Sequence, residues 1–171
     1  MSSQKNIFLI GLMGTGKTTV GRQLSRKLKM EFFDSDRVIE ERTGADIPLI
    51  FEKEGEAGFR KREVEVIDEL TQKKNIILAT GGGAVLNPEN RNHLINRGTV
   101  FYLKSNLNTL IERTCKDKNR PLLQADEPVE IILKRLLEQR GPLYEEAADY
   151  VIETANNSIH SVIQAIIKSL K

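Results

Sequence analysis

A single cysteine, Cys115, and two histidines, His93 and His160, leave this 171-residue chain without the paired thiols of a disulfide or the clustered ligands of a structural zinc site. A reducing compartment, the cytoplasm, is therefore expected. No apolar run approaches the ~20 residues that span a bilayer. Residues 1–6 lead into a strand-like segment without the apolar stretch of a signal peptide, so neither membrane insertion nor export is expected. Charge of one sign is lacking too. Lys+Arg 26 against Asp+Glu 24 nets only +2, and no long single-signed run offers a surface for nucleic acid. Nor is the chain poor in apolar residues, since 39% hydrophobic and 29% charged is the make-up of a globular domain, not a disordered segment. At this length one folding unit is expected.

Short apolar runs at 6–10, 31–33, 76–79, 99–103 and 150–152 read as strands separated by amphipathic segments of helical period. That alternation predicts an α/β fold, a five-stranded parallel sheet with helices on both faces. Asn87-Pro88-Glu89 supplies a cap, a first-turn proline and an acid at the positive end of the helix dipole, which predicts a helix from Pro88 to about Asn96. Two stretches break the alternation. Residues 36–72 read as largely helical with no strand inside, and residues 115–128 are polar with two prolines. Each reads as an insertion over the sheet. The second has the make-up of a lid, because Lys116-Asp117-Lys118-Asn119-Arg120 carries charge and has almost nothing to bury.

Gly11-Leu12-Met13-Gly14-Thr15-Gly16-Lys17-Thr18 matches G-x-x-x-x-G-K-[ST], directly after one predicted strand and before a predicted helix at 19–28. Glycines let the backbone wrap phosphate oxygens and aim N–H groups at them, and the helix start adds partial positive charge. The expected nucleotide ligands are Gly14, Thr15, Gly16, Lys17, Thr18 and Thr19, with Lys17 bridging the β- and γ-phosphates and the Thr18 hydroxyl on magnesium. This motif implies ATP or a related triphosphate without naming the reaction.

Strand two ends in Phe33-Asp34-Ser35-Asp36, which brings two carboxylates to the carboxyl edge of the sheet, where open α/β folds hold ligands. On an extended segment Asp34 and Asp36 would share a face, one approaching the magnesium side and the other an acceptor hydroxyl. Both could instead cap a helix beginning near Arg37, Asp36 most naturally. Thr80-Gly81-Gly82-Gly83-Ala84 follows strand three where many phosphate-loop proteins place an acid. Its glycines leave room for a ligand and can present N–H groups to an anion, although a tight turn competes. Arg60, Arg120 and Arg140 lie in different segments, and spacing cannot bring them together.

These residues together resemble the shikimate kinase family over nearly the whole chain. The resemblance rests on the phosphate loop, Asp34-Ser35-Asp36, Gly58-Phe59-Arg60-Lys61-Arg62-Glu63, Gly81-Gly82-Gly83-Ala84, Arg120-Pro121-Leu122-Leu123 and Arg140-Gly141-Pro142-Leu143-Tyr144, in that order. It implies one domain over 1–171 of the small-kinase phosphate-loop type, with a substrate-binding insertion at about 36–64 and a lid at about 115–127. It also implies ATP-dependent phosphorylation of shikimate on its 3-hydroxyl, on the route to chorismate and the aromatic amino acids, by a monomer using Mg2+. By the same resemblance Asp36 holds ring hydroxyls, and Arg60, Arg140 and the backbone of Gly82 and Gly83 hold the carboxylate. Asp34 acts near magnesium or as base, Arg120 neutralises the transferring phosphoryl group, Arg113 lies near adenine, and Glu63 orients an arginine. A guanidinium fork matches a carboxylate in bidentate fashion, so the chemistry agrees. The arginine- and proline-bearing adenine loop of some members reads here as Thr154-Ala155-Asn156-Asn157-Ser158, a departure.

Rival readings are a gluconate or nucleoside monophosphate kinase, or a non-catalytic nucleotide-binding regulatory protein. The rival kinases give no reason for Asp34-Ser35-Asp36 together with 81–83 and Arg140, and intact Lys17, Thr18, Asp34 and Arg120 argue against a non-catalytic module. The guanine-reading N-K-x-D of GTPases is missing. Cys115 and His93 read as packing or surface residues, and Phe51 and Phe59 first of all as core.

Overall fold

The central strands of the protein are apolar on both faces, and each face meets a different set of helices. The structure, a computed structural model, describes residues 5–114 and 127–171. β1 (Asn6–Ile10), β2 (Glu31–Asp34), β3 (Ile76–Ala79), β4 (Gly98–Lys104) and β5 (Tyr150–Glu153) form one parallel sheet in the order β2-β3-β1-β4-β5. Side chains alternate across a strand. Phe8, Ile10, Leu78, Val100 and Tyr102 therefore pack on one side, and Ile7, Leu9, Ile77, Phe101 and Leu103 on the other. Such two-sided burial is what a parallel sheet between helix layers requires.

On the second side lie α1 (Lys17–Leu28), through Val20 and Leu24, and α7 (Ile159–Ser169), through Val162, Ile163 and Ile166. On the first side lie α2 (Ser35–Thr43), α3 (Ile47–Thr71), α4 (Pro88–Arg97), α5 (Leu107–Thr114) and α6 (Val129–Ala147), contributing Ile39, Val66, Leu94, Leu110 and Leu133. Among the described residues no helix is long and apolar enough to cross a membrane.

The neighbouring strands β1 and β3 send their following helical segments to opposite faces. A crevice therefore opens between their carboxyl ends, the place where open α/β sheets bind ligands. The glycine loop 11–16 leaves β1 there, and the glycine run 81–83 leaves β3 beside it.

Caps set the helix starts. Asn87 accepts from Glu89 N–H at 2.8 Å, and α4 runs one residue beyond the predicted end, to Arg97. Ser158 accepts from Ser161 N–H at 3.1 Å at the start of α7. α3 is capped by Asp46, whose carboxylate accepts from Leu49 N–H at 3.0 Å. It is broken at Gly55, where φ 72° is left-handed and favours glycine. Arg62 spans the break with two 2.7 Å bonds to Glu54. As the sequence predicts, residues 36–72 contain no strand.

Candidate active site

α1 opens without a side-chain cap. Its N-cap residue is Gly16, at φ 89°, which has no side chain with which to accept from the first N–H groups of the helix. Those donors and the dipole behind them make a ready anion site. Lys17 Nζ donates to the carbonyls of Gly11 at 2.7 Å and Leu12 at 2.8 Å, so the amine already lies along the loop. Thr15 is buried, with its hydroxyl donating to Leu12 O at 2.9 Å. A cleft of about 190 Å³ runs from Gly14, Gly16, Lys17, Thr18 and Thr19 past Asp34 and Asp36 to Thr80, Gly81 and Gly82. The structure thus brings the predicted phosphate-side and acceptor-side residues to one continuous depression.

The two aspartates divide differently from the extended-segment expectation. β2 ends at Asp34, and Asp36 already belongs to the first turn of α2, so they do not share a strand face. The cap is Asp34, not Asp36: its Oδ1 accepts from the N–H groups of Asp36 at 3.0 Å and Arg37 at 3.3 Å. The geometry favours Asp34 because the residue just before a helix, still in β conformation, reaches back over the first turn. Its other oxygen, Oδ2, accepts from the Thr18 hydroxyl at 2.7 Å. That hydroxyl and carboxylate are a hard-oxygen pair of the kind that holds magnesium alongside phosphate oxygens, so the residues present fit that ion. Asp36 turns the other way, against the glycine run. A Cβ added to Gly81 would fall 2.5 Å from Asp36 Oδ1 and 2.9 Å from Glu63 Oε2.

The same run brings the arginines together. A Cβ on Gly83 would meet Arg60 Nη1 at 2.5 Å, and one on Gly82 would lie 3.5 Å from Arg140 Nη1. Arg60 comes from α3 and Arg140 from α6, both packed on the same face of the sheet, and the absence of side chains at 81–83 lets both guanidinium groups approach. Arg60 Nη1 donates to Glu63 Oε1 at 2.9 Å. Glu63 is buried, and burial pushes its carboxyl above the ordinary range, offset only in part by Arg60 and Arg140. Arg140 is also buried, and burial together with repulsion from Arg60 lowers its pKa from the free value, against the opposing pull of Tyr144. Its Nε has no hydrogen-bond partner among the described residues. Two cations are thus crowded beside buried Glu63, with half-exposed Glu56 paired to Arg60 Nε at 3.5 Å, and the unpartnered Nε of Arg140 suits an anionic group.

Gly81 N–H does not wait for a ligand as the anion-cradle reading allowed. It donates to Ser35 Oγ at 3.0 Å and so ties the glycine run to the start of α2. Arg113 reaches the phosphate loop itself, donating to Gly14 O at 2.9 Å. It also lines an open pocket of about 470 Å³ with Thr109, Glu112, Asn156 and Asn157. That pocket joins the predicted base-side arginine to the divergent 154–158 segment. Phe59 is core, and Phe51 packs on it at a 5.0 Å ring separation. Arg120, with the rest of the predicted lid up to residue 126, and Cys115 lie outside the described residues.

Sequence reasoning left two side chains without a role. Ser35 was visible only as the residue between two aspartates. Tyr144 closed a quoted motif, and its spacing of four from Arg140 within one helix was the signal that the two share a face.

A family profile described as shikimate kinase matches residues 13–171. The shikimate kinase of Burkholderia lata is 58% identical over 166 residues, covering 97% of this chain and 90% of that protein. That of Vibrio parahaemolyticus is 54% identical over 171 residues, covering 100% and 99%. Among solved structures, shikimate kinase from Acinetobacter baumannii in complex with shikimate has a TM-score of 0.94 at 51% identity, covering 98% of this chain and 93% of that one.

Proposed function

Because the chain belongs to the shikimate kinase family, we propose that it transfers the γ-phosphoryl group of ATP to the 3-hydroxyl of shikimate, giving shikimate 3-phosphate and ADP. The observation that carries this reading is the meeting of Asp36, Arg60 and Arg140 around 81–83, one cleft away from Lys17 and Thr18. In the reaction the acceptor oxygen forms a bond to the γ-phosphorus as the bond to the β–γ bridging oxygen breaks, and the hydroxyl proton leaves to a base. Such transfers depend mainly on positioning and charge stabilisation.

Each residue then has a part. Gly14, Thr15, Gly16, Thr18 and Thr19 hold the phosphates through the loop and helix start, while Lys17 turns from the loop carbonyls to the β- and γ-oxygens. Asp34, with both oxygens already engaged, serves the magnesium side beside Thr18, and this supports that choice between its two earlier roles. Magnesium, when bound with the nucleotide, offsets charge on the phosphate oxygens. Asp36 orients the acceptor hydroxyl and takes its proton. Arg60 and Arg140, with the backbone of Gly82 and Gly83, grip the carboxylate. The insertion at about 36–64 supplies the acceptor side of the cleft. Arg120, from the lid at about 115–127, neutralises the moving phosphoryl group, and Arg113 lies beside adenine.

A monomer is proposed, as the family resemblance implies. Dependence on ATP supports the cytoplasm as its place of action, on the route to chorismate and the aromatic amino acids. The test is ADP release measured side by side with shikimate, gluconate and nucleoside monophosphates. Turnover with shikimate alone is expected, and turnover only with another acceptor would overturn the assignment.

A further inference from the structure

Tyr144 has no solvent exposure, yet its hydroxyl is placed between two groups of the acceptor site. The O–H donates to the carbonyl of Gly82. Arg140, one helical turn before it, reaches the same glycine: a Cβ on Gly82 would lie 3.5 Å from Arg140 Nη1. The ring is fixed from behind by stacking on Tyr102 at 4.9 Å between centroids.

Two consequences follow from the chemistry of a phenol. First, it stands near Arg140 without neutralising it. A carboxylate in this position would pair with the guanidinium and compete with an acidic ligand, whereas a neutral oxygen leaves the charge available. Burial raises the Tyr144 hydroxyl well above its ordinary range, so it remains a neutral donor and is not a base. Second, it sets a peptide plane. The peptide between Gly82 and Gly83 is trans, so its N–H points opposite to its C=O. With the Gly82 carbonyl held by Tyr144, the Gly83 N–H is turned away from Tyr144. A glycine run has little else to fix that plane, because its backbone is conformationally permissive.

We propose that Tyr144 is a positioning residue for the acceptor carboxylate: its hydroxyl aligns the Gly82–Gly83 peptide beside the Arg140 guanidinium, and so sets affinity for the acid substrate without touching it. This rests on the reading of Arg140 and Gly83 as carboxylate ligands. Arg140 and Tyr144 are four residues apart on α6 and so rise on one face of the helix, toward the glycine run.

The test is Tyr144→Phe, which keeps the ring stacked on Tyr102 and removes only the hydroxyl. Steady-state ADP release, with each substrate varied in turn, is expected to show the shikimate KM raised about tenfold, while the ATP KM stays within about twofold, as for a buried carbonyl left without its donor. Tyr102→Phe, which removes the hydroxyl of the stacked neighbour, is the control and leaves the shikimate KM unchanged. In an Arg140→Ala background, Tyr144→Phe is expected to lower kcat/KM for shikimate by a markedly smaller factor than in the wild type, because the carboxylate is then no longer held where the aligned peptide meets it. If wild-type protein shows no shikimate-dependent ADP release, the reading of the site fails at its root. If wild-type protein turns over shikimate, three results overturn the role of Tyr144: an unchanged shikimate KM in Tyr144→Phe, a parallel loss for ATP, or an equal factor in both backgrounds.

Discussion

Gly83→Ala perturbs the acceptor site through a single methyl group. Gly83 lies at φ −92°, ψ 2°, a conformation open to alanine, so the substitution brings no backbone strain. The methyl would lie 2.5 Å from Arg60 Nη1 and 2.6 Å from its Cζ. Carbon and nitrogen atoms in ordinary contact stand about 3.5 Å apart, so the guanidinium must withdraw by about 1 Å. It can do so, being the far end of a flexible side chain, but it is tethered to Glu63 at 2.9 Å. Withdrawal stretches a charge-assisted bond worth about 1.5–3 kcal/mol. A shift of about 1 Å in a positioning group can cost as much as 10²-fold in rate. We expect kcat/KM for shikimate to fall roughly 30- to 100-fold, equivalent to about 2–2.7 kcal/mol. The ATP KM should stay within about twofold, because loop 11–18 is not touched. Coupled ADP release with each substrate varied, alongside thermal unfolding, reads both. A variant that keeps the wild-type shikimate KM, or loses ATP affinity to the same degree, refutes the placement of Arg60 against the acceptor.

Lys17→Ala should reduce kcat by at least about 10²-fold, by removing the loop's one charged donor to the phosphates; single-turnover phosphoryl transfer is the check. Arg140→Ala should raise the shikimate KM by at least about thirtyfold with the ATP KM nearly constant, as measured by initial rates. Glu63→Gln tests the buried acid through pH. Because burial raises the Glu63 carboxyl, the native state retains a proton that the unfolded chain releases. The stability this gives is fully present below the ordinary carboxylate value and is lost as pH rises through the raised one. The unfolding midpoint of the wild type should therefore fall relative to that of Glu63→Gln as pH rises from the acid range to neutrality; a difference independent of pH would contradict the raised value.

The sheet was legible because β1, β3 and β4 are buried on both faces and read as continuous apolar runs. Their ends were less so. β2 continues through Asp34, which pairs with Ala79 although it is charged, because the carboxyl edge of the sheet is where the ligand crevice begins. The cap was open to both aspartates, Asp36 most naturally, and falls to Asp34 for a local reason: both acids fit a helix start, and the choice depends on Thr18, sixteen residues earlier, which fixes the Asp34 carboxylate. The break at Gly55 was hidden in a run otherwise suited to a helix, and only the backbone angle reveals it. The phosphate loop was readable from residue types alone, since a contiguous motif carries its own geometry. The acceptor site was not. Arg60 and Arg140 meet because α3 and α6 pack Phe59, Leu136 and Tyr144 into the same cluster. No spacing in the sequence encodes that meeting, and the family resemblance supplied what the pattern could not.

The proposed grip of two guanidinium groups, Arg60 and Arg140, on the acid of the acceptor is the central claim. Its most direct measurement compares kcat/KM for shikimate with that for its neutral, nearly isosteric carboxamide under saturating ATP. Loss of the charge on which both arginines converge should lower kcat/KM by at least about 100-fold. Turnover of the carboxamide within about twofold of shikimate would mean that Arg60 and Arg140 converge there for another reason.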